Sequence, residues 1–301
     1  MMKEYTKYIL TLFLLFFLSG YVTVLVLLDL HIAKDRSLPY VPIKEEEKNT
    51  LPYSVAVVGI ARDIAERMRR NIEKVMDILP MFRKYVVYIY ENDSRDGSQK
   101  VLQDAQARYG SDVFRYVSKI GVDPKLAVEY HGGNTRYIKM ARYRNECVYE
   151  LRKPDYSDID YVIVVDWDHM GMFTSQDMKT IFGGTDPIIE QCDGLFANAK
   201  NDVPRRRNLF NALFYTDSTY DKLAMVYPDD ASGYGTRLFT GDGNELIHMK
   251  SAFSGVGIYP KHIMDKFEYR GDVCEHICLH EDMWKAGYTR TYILSSFVFN
   301  H

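Results

Sequence analysis

The sequence predicts an α/β domain built on a mainly parallel sheet. Three short apolar runs indicate buried strands: VAVVGI at 55–60, YVVYIY at 85–90 and DYVIVV at 160–165. Helix-like stretches lie between and around them, at 64–79, 98–108 and 134–152. Strands that alternate with helices along a chain are typical of a parallel sheet covered by helices.

The bulk composition narrows the choice of partners. The chain has 301 residues and a net charge of -3, enough length for a sizeable core but no electrostatic basis for binding nucleic acid. Only Cys274 and Cys278 of the four cysteines are close in sequence, whereas a zinc site usually needs two close pairs. Free or structural thiols are favoured, and a disulfide stays open for a lumenal domain.

The N-terminal region predicts a membrane anchor. Residues 8–28, YILTLFLLFFLSGYVTVLVLL, carry no charge and span about 31 Å as a helix, enough to cross a bilayer core. A cleaved signal peptide would have a shorter apolar region and a small-x-small cleavage site, which Asp29-Leu30-His31 does not provide. We expect a cytosolic tail at 1–7, a single type II anchor, a proline-containing stem at 29–53 and a folded domain at 54–301.

The third strand ends in VIVVDWDHMG, at 162–171. Ligands of open α/β sheets bind beyond the carboxyl ends of strands, and residues two apart on a strand point the same way. The carboxylates of Asp166 and Asp168 therefore repel each other unless a cation such as Mn²⁺ or Mg²⁺ lies between them. The alternative is that one aspartate caps the next helix and the other is solvated.

Charged residues also follow the other strands. In YENDSRDGS, at 90–98, Asp96, Gly97 and Ser98 indicate a turn and a helix cap, whereas Glu91 leaves the strand where it can accept hydrogen bonds from a nucleoside. In ARYRNEC, at 141–147, Arg144 is the candidate for reaching a diphosphate, although a surface arginine is the alternative. The predicted donor-binding residues are Arg62, Glu91, Asp93, Arg144 and Asp166.

The C-terminal third holds candidate acid/base groups in CEHICLHEDMWKAGY, at 274–288: Glu275, Glu281 and Asp282. His276 and His280 are four residues apart, but no third zinc ligand is near in sequence, so a zinc pair is disfavoured. The glycines of SAFSGVGIYP, at 251–260, predict close approach of the backbone to a donor sugar or acceptor, or an ordinary strand-loop pair.

In this order, the motifs resemble the GT-A fold of nucleotide-sugar-dependent glycosyltransferases over about residues 54–301. YENDSRDGS resembles the family's second-strand exit, MARYRNE its Arg-Asn helix and VIVVDWDHMG its D-x-D strand. The resemblance implies that Asp168 binds Mn²⁺ or Mg²⁺ directly. Asp166 would contact the ribose or a metal-bound water, and His301 lies where the family has a late metal-binding histidine.

The resemblance also bears on the reaction. Glu275-His276 lies twelve residues before Gly287-Tyr288, as the family's acidic pair does, but His276 replaces the catalytic Asp of inverting members. Glu275 and Asp282 stay the catalytic candidates. The I-Y-E-N-x-S-x-D-G stretch and the Arg-Asn helix are most similar to the fungal capsule-associated α-mannosyltransferases, which implies GDP-mannose as donor and retention of configuration. The wider resemblance leaves a UDP-sugar open as donor and implies a glycan or glycoprotein acceptor. In a eukaryotic host, the anchored domain would face the Golgi or endoplasmic reticulum lumen.

Two other functions stay open. A sugar-phosphate nucleotidyltransferase has a similar sheet, but it usually shows a Gly-rich phosphate loop after the first strand, and GIARDIAER has one glycine. A non-catalytic glycan-binding or scaffold protein is the third hypothesis. Metal-dependent binding of a nucleotide diphosphate distinguishes a transferase from a scaffold.

Overall fold

The computed structural model describes residues 43–123, 134–169, 171–200, 225–226 and 243–300. The strands of this part are β1 (Leu51–Ala61), β2 (Phe82–Asn92), β3 (Phe114–Lys119), β4 (Tyr161–Val165), β5 (Gly194–Lys200), β6 (Met225–Val226), β7 (Leu246–His248), β8 (Ser251–Ala252), β9 (Val256–Pro260) and β10 (Thr291–Asn300). Its α-helices are α1 (Ala65–Ile78), α2 (Ser98–Tyr109), α3 (Asn134–Leu151), α4 (Ser175–Phe182), α5 (Lys261–Lys266) and α6 (Glu275–Lys285).

Eight strands form one sheet in the order β3-β2-β1-β4-β9-β5-β10-β7. The pairings of β1 with β2 and β4, of β2 with β3, and of β10 with β5 are parallel. Strand β9 runs antiparallel to both of its neighbours, and β7 runs antiparallel to β10. Six of the eight strands therefore point the same way, which confirms the predicted mainly parallel sheet. Strands β6 and β8 form a separate antiparallel pair.

Helices cover both faces of this sheet because side chains alternate along each buried strand. In β1, Val55 and Val57 face a core with α1, α2 and α4, whereas Ala56 and Val58 face a second core with α3, α5 and α6. All four side chains are buried. The strands predicted from unbroken apolar runs are thus buried on two sides, as parallel strands between helix layers must be.

The first strand begins within the predicted stem. Strand β1 begins at Leu51, three residues before the predicted boundary, and a short 3₁₀ helix covers Glu45–Glu47. The pairing of β1 with β2 is irregular between Leu51 and Ser54, where Pro52 lies. Because proline cannot donate to a sheet, it is tolerated at such an irregularity, and here it does not end the strand.

The predicted tail (1–7) and anchor (8–28) lie outside the described residues and stay predictions. Within the described part of the chain, no helix has the length and apolar character needed to cross a membrane.

One glycine sets how closely β1 approaches the end of β4. A Cβ atom on Gly59 would lie 2.2 Å from the carbonyl oxygen of Val165 and 2.6 Å from Nε1 of Trp167. Only a residue without a side chain fits there. The Trp167 ring is consequently buried against β1, and the D-x-D segment continues directly from the centre of the sheet.

Candidate active site

The D-x-D segment leaves β4 with its side chains alternating. The backbone N–H of Asp166 donates to the carbonyl of Gly255 at 2.8 Å, which extends the pairing of β4 with β9 by one residue. Trp167 is buried in the core that contains α1, whereas Asp168 is exposed. The two aspartates therefore lie on either side of a buried anchor residue.

The buried Arg144 of α3 forms an ion pair with Asp166. Its Nη2 donates to Oδ1 of Asp166 at 2.8 Å, and its Nε donates to Oε1 of Glu275, at the start of α6, at 3.0 Å. The arginine is 3% exposed, and its guanidinium carbon lies 5.3 Å from the ring centre of Phe253 and 5.9 Å from that of Tyr269. The structure therefore gives Arg144 a buried ion-pairing role, and its contact with a diphosphate stays a prediction.

Arg144 and Asp166 keep each other ionised. Burial alone would lower the pKa of Arg144, but Asp166 and Glu275 outweigh it and raise that pKa. Burial would raise the pKa of Asp166, but Arg144 and His169 hold it well below its ordinary value. Removing one partner of a buried ion pair leaves an uncompensated charge, a loss of about 3–5 kcal/mol.

Asp168 is in the opposite situation. Loss of hydration, followed by the charge of Asp166, raises the pKa of its carboxylate, although its exposed surface means that the hydration is lost only in part. Among the described residues, no other residue donates a hydrogen bond to that carboxylate. An exposed carboxylate beside a fixed second one suits a hard divalent cation, which takes oxygen ligands.

The donor set fits a metal that is held partly by substrate. The part of the chain that the structure describes contains no cluster of three His, Cys, Asp or Glu placed to hold an ion. The predicted third ligand, His301, lies outside the described residues and stays a prediction. Mg²⁺ is often bound by one or two carboxylates together with substrate phosphates, and Asp168 with Asp166 meets that description.

Helix α1 fixes the backbone of the D-x-D segment. Nδ2 of Asn71 donates to the carbonyls of Trp167, at 3.0 Å, and His169, at 2.9 Å. Nη1 of Arg67 donates to the carbonyl of Asp168 at 3.0 Å. Three successive carbonyls are thus bound to α1.

The exits of β1 and β2 are joined to each other. Asp96 accepts the backbone N–H of Ser98 in α2 at 3.0 Å and that of Ala65 in α1 at 2.8 Å, so one carboxylate binds the first residue of each helix, whereas the N-cap residue of α2 is Gly97. Asp63 and Asp93 have left-handed backbone angles, φ 53° and 55°. Such strain in residues other than glycine often lies at functional sites.

Three of the predicted donor-binding residues lie at these exits. Glu91 is fully buried, and its carboxylate accepts from the backbone N–H of Ser94 at 2.8 Å and from the Ser118 hydroxyl. Asp93 accepts the backbone N–H of Asp123 at 2.6 Å, and Arg62 donates to the carbonyl of the same residue at 3.0 Å. The structure therefore gives all three a bracing role, and their contact with a donor stays a prediction.

The glycine turn between β8 and β9 packs closely against His169. Gly255 has φ +86°, and a Cβ atom there would lie 2.3 Å from Nε2 of His169. This strand-turn-strand unit supports the D-x-D segment through the bond from Asp166. The close backbone approach predicted for a sugar is, in the structure, an approach to His169.

Helix α6 separates the two predicted catalytic residues. Glu275 lies beside Arg144, but Asp282 lies about 10 Å further along the helix axis and pairs with Arg270 at 2.8 Å. Two helical turns therefore separate Asp282 from Glu275, and the catalytic role of Asp282 stays a prediction.

The two histidines of α6 are neutral core residues. Burial lowers the pKa of His280 to about 3, and its two nitrogens bond the hydroxyls of Tyr259 and Ser251, both at 2.8 Å. Burial also lowers the pKa of His276, whose ring stacks on Phe253 at 3.5 Å between centres. The disfavoured zinc pair finds no support here, since both nitrogens of His280 are engaged.

Sequence reasoning missed Asn71 and Arg67. Asn71 is 2% exposed and lies on the face of α1 that carries Met68, Ile72 and Val75 into the core. A carboxamide on the apolar stripe of an amphipathic helix was the available signal, because a buried amide needs partners.

Replacing Asn71 by leucine removes both hydrogen bonds to the D-x-D carbonyls. The carbonyls of Trp167 and His169 then stay buried without this donor. We expect Asn71→Leu to lower the free energy of unfolding by about 1–3 kcal/mol. Urea unfolding monitored by tryptophan fluorescence measures this, with Gln103→Leu, an exposed amide on α2, as the matched control. Equal losses of unfolding free energy in the two variants would contradict the role of Asn71 in holding the D-x-D backbone.

Comparison with known proteins gives the fold. No protein-family model and no curated protein matches the chain. The mannosyltransferase PcManGT from Pyrobaculum calidifontis, solved with GDP-Man and Mn²⁺, matches with a TM-score of 0.50 and 13% identity, over 92% of this chain and 64% of that one. GalNAc-T7, solved with UDP, GalNAc and Mn²⁺, matches with a TM-score of 0.54 and 11% identity, over 88% of this chain and 47% of that one.

The chain thus spans less than two thirds of the length of either structure. At these identities the likeness is one of fold, and the predicted GT-A-like architecture is confirmed for the described part of the chain.

Proposed function

We propose that the protein is a divalent-metal-dependent glycosyltransferase that moves a sugar from a nucleotide-diphosphate donor to a glycan or glycoprotein acceptor. One observation carries the proposal. The exposed carboxylate of Asp168 stands at the carboxyl end of a central strand, beside an Asp166 that Arg144 fixes. The fold likeness to two glycosyltransferases that were solved with Mn²⁺ supports it.

The chain's own residues have separate tasks in this scheme. Asp168 offers oxygen ligands to Mn²⁺ or Mg²⁺, and Asp166 supplies fixed negative charge next to it. Asn71 and Arg67 hold the backbone so that Asp168 stays at the carboxyl end of β4. A bound divalent ion supplies Lewis-acid stabilisation of the leaving diphosphate.

The donor sugar and the stereochemistry are finer parts of the proposal. We favour GDP-mannose, following the motif likeness to the fungal capsule-associated α-mannosyltransferases, with a UDP-sugar as the alternative donor. Retention is supported by His276, a buried, neutral ring where inverting members place an Asp. In a retaining reaction, the leaving diphosphate can itself take the acceptor proton.

A donor screen tests the activity. The full chain, in detergent with Mn²⁺, is offered UDP- and GDP-sugars, and release of UDP or GDP is followed. We expect turnover of one donor and a loss of at least about 10²-fold in Asp168→Asn, because the ligand charge that the metal needs is removed.

Asp112→Asn, an exposed aspartate in the loop before β3, is the matched control and should keep full turnover. Turnover that survives both Asp168→Asn and chelation of the metal would rule out the metal-dependent mechanism. If no donor is turned over and no nucleotide diphosphate binds with Mn²⁺, the scaffold hypothesis takes its place.

We further propose that residues 8–28 anchor the domain in a membrane with the type II orientation, facing the Golgi or endoplasmic reticulum lumen in a eukaryotic host. The support is the uncharged run of 21 residues at 8–28, which is long enough to cross a bilayer core as a helix. In sealed microsomes, we expect protease to leave the folded domain intact until detergent is added. Digestion without detergent would contradict this orientation.

A further inference from the structure

Glu275 and Asp166 are linked through one buried cation. They lie 109 positions apart in the chain, and Arg144 donates to each through a different nitrogen, Nε to Glu275 and Nη2 to Asp166. Because the guanidinium is planar and rigid, fixing one edge fixes the direction of the other. The position of the Asp166 carboxylate is thereby tied to that of Glu275.

Aromatic rings and a small cavity enclose the Arg144 guanidinium. The rings of Phe253 and Tyr269 flank the guanidinium, and His276 stacks on Phe253. Arg144 also lines a small, mainly apolar cavity with side chains of β1, α3 and β4. Its third nitrogen, Nη1, has no hydrogen-bond partner among the described residues. If either carboxylate were lost, the buried guanidinium would keep a single ionic partner.

The contacts of Glu275 do not suit a general base. The residue is 5% exposed, and Oε1 is engaged by Arg144. Oε2 lies 3.9 Å from the thiol of Cys274. A base must come within hydrogen-bond reach of the proton that it removes. Glu275 instead faces a permanent positive charge inside the core.

We propose that Glu275 is a positioning residue: through Arg144 it fixes the Asp166 carboxylate beside Asp168, and it takes no proton in the reaction. The proposal deepens the proposed function and rests on it for its consequence in catalysis. The ion triad itself is a feature of the folded chain and can be tested without any substrate.

Two substitutions at one position distinguish positioning from base catalysis. Glu275→Gln keeps an amide oxygen that accepts from Arg144 Nε, whereas Glu275→Leu removes the acceptor. We expect Mn²⁺ affinity, measured by electron paramagnetic resonance on the full chain, to fall about 10-fold in Glu275→Leu and to stay close to wild type in Glu275→Gln. Turnover should follow the same order, with an unchanged pH profile in Glu275→Gln.

A general base would give another pattern. Glu275→Gln would then lose about 10²-fold or more in turnover and the acid limb of its pH profile, with Mn²⁺ affinity unchanged. That result would overturn the proposal. Glu268→Gln is the matched control, because Glu268 pairs with Arg152 at 2.7 Å away from the D-x-D segment. Should Glu275→Leu not fold, Glu275→Ala replaces it, since it leaves room for water beside Arg144.

Metal-free unfolding decides the triad on its own. The urea midpoint shifts of Glu275→Leu and Asp166→Asn should not add in the double variant, because both act on Arg144. Those of Glu268→Leu and Asp166→Asn should add. Additivity in both cycles would overturn the link between Glu275 and Asp166. Absence of Mn²⁺ binding by wild type, with coupling intact, would instead remove the proposed function and the catalytic consequence of the triad.

Discussion

The burial of Arg144 is the constraint on which the arrangement at the carboxyl end of β4 depends. A guanidinium inside the core must be neutralised there, and the fold brings Asp166 from β4 and Glu275 from α6 to it. This joins the long helix α3, the central strand and the C-terminal helix at one point. Because the Asp166 carboxylate is paired with Arg144, the carboxylate of the segment that lies exposed to solvent is that of Asp168. A repulsive pair of carboxylates is thus divided into a fixed member and an exposed member.

The other contacts around the D-x-D segment serve the same arrangement from different directions. Helix α1 binds its carbonyls, the Gly255 turn bonds its first N–H, and Trp167 fills the space that Gly59 leaves open. The backbone is therefore held on three sides. Sites built on rigid elements hold their ligands more precisely than sites on loops, and here the segment follows directly from β4, with its first residue continuing the pairing to β9.

Much of the fold was predictable because its buried strands are short, unbroken apolar runs. The predicted helices at 64–79, 98–108 and 134–152 lie within two residues of α1, α2 and α3. Strand β3 was missed because FRYVSK carries two cations and is mostly half-buried. The D-x-D motif was visible as a local pattern. The pairing of Arg144 with Glu275 was not, since 131 residues separate them and only the folded sheet brings α3 beside α6. For the same reason, Asp282 looked equivalent to Glu275 in sequence.

In the proposed function, the divalent ion binds the protein at Asp168, and not at Arg144 or the strand exits of β1 and β2. Crystals of the full chain grown with Mn²⁺ and GDP or UDP, measured at the manganese absorption edge, locate the ion directly. We expect an anomalous peak at about 2.0–2.2 Å from an Asp168 carboxylate oxygen, with Arg144 still bonded to Asp166 and Glu275. A peak elsewhere, or an Arg144 released from both carboxylates to bind the diphosphate, would contradict it.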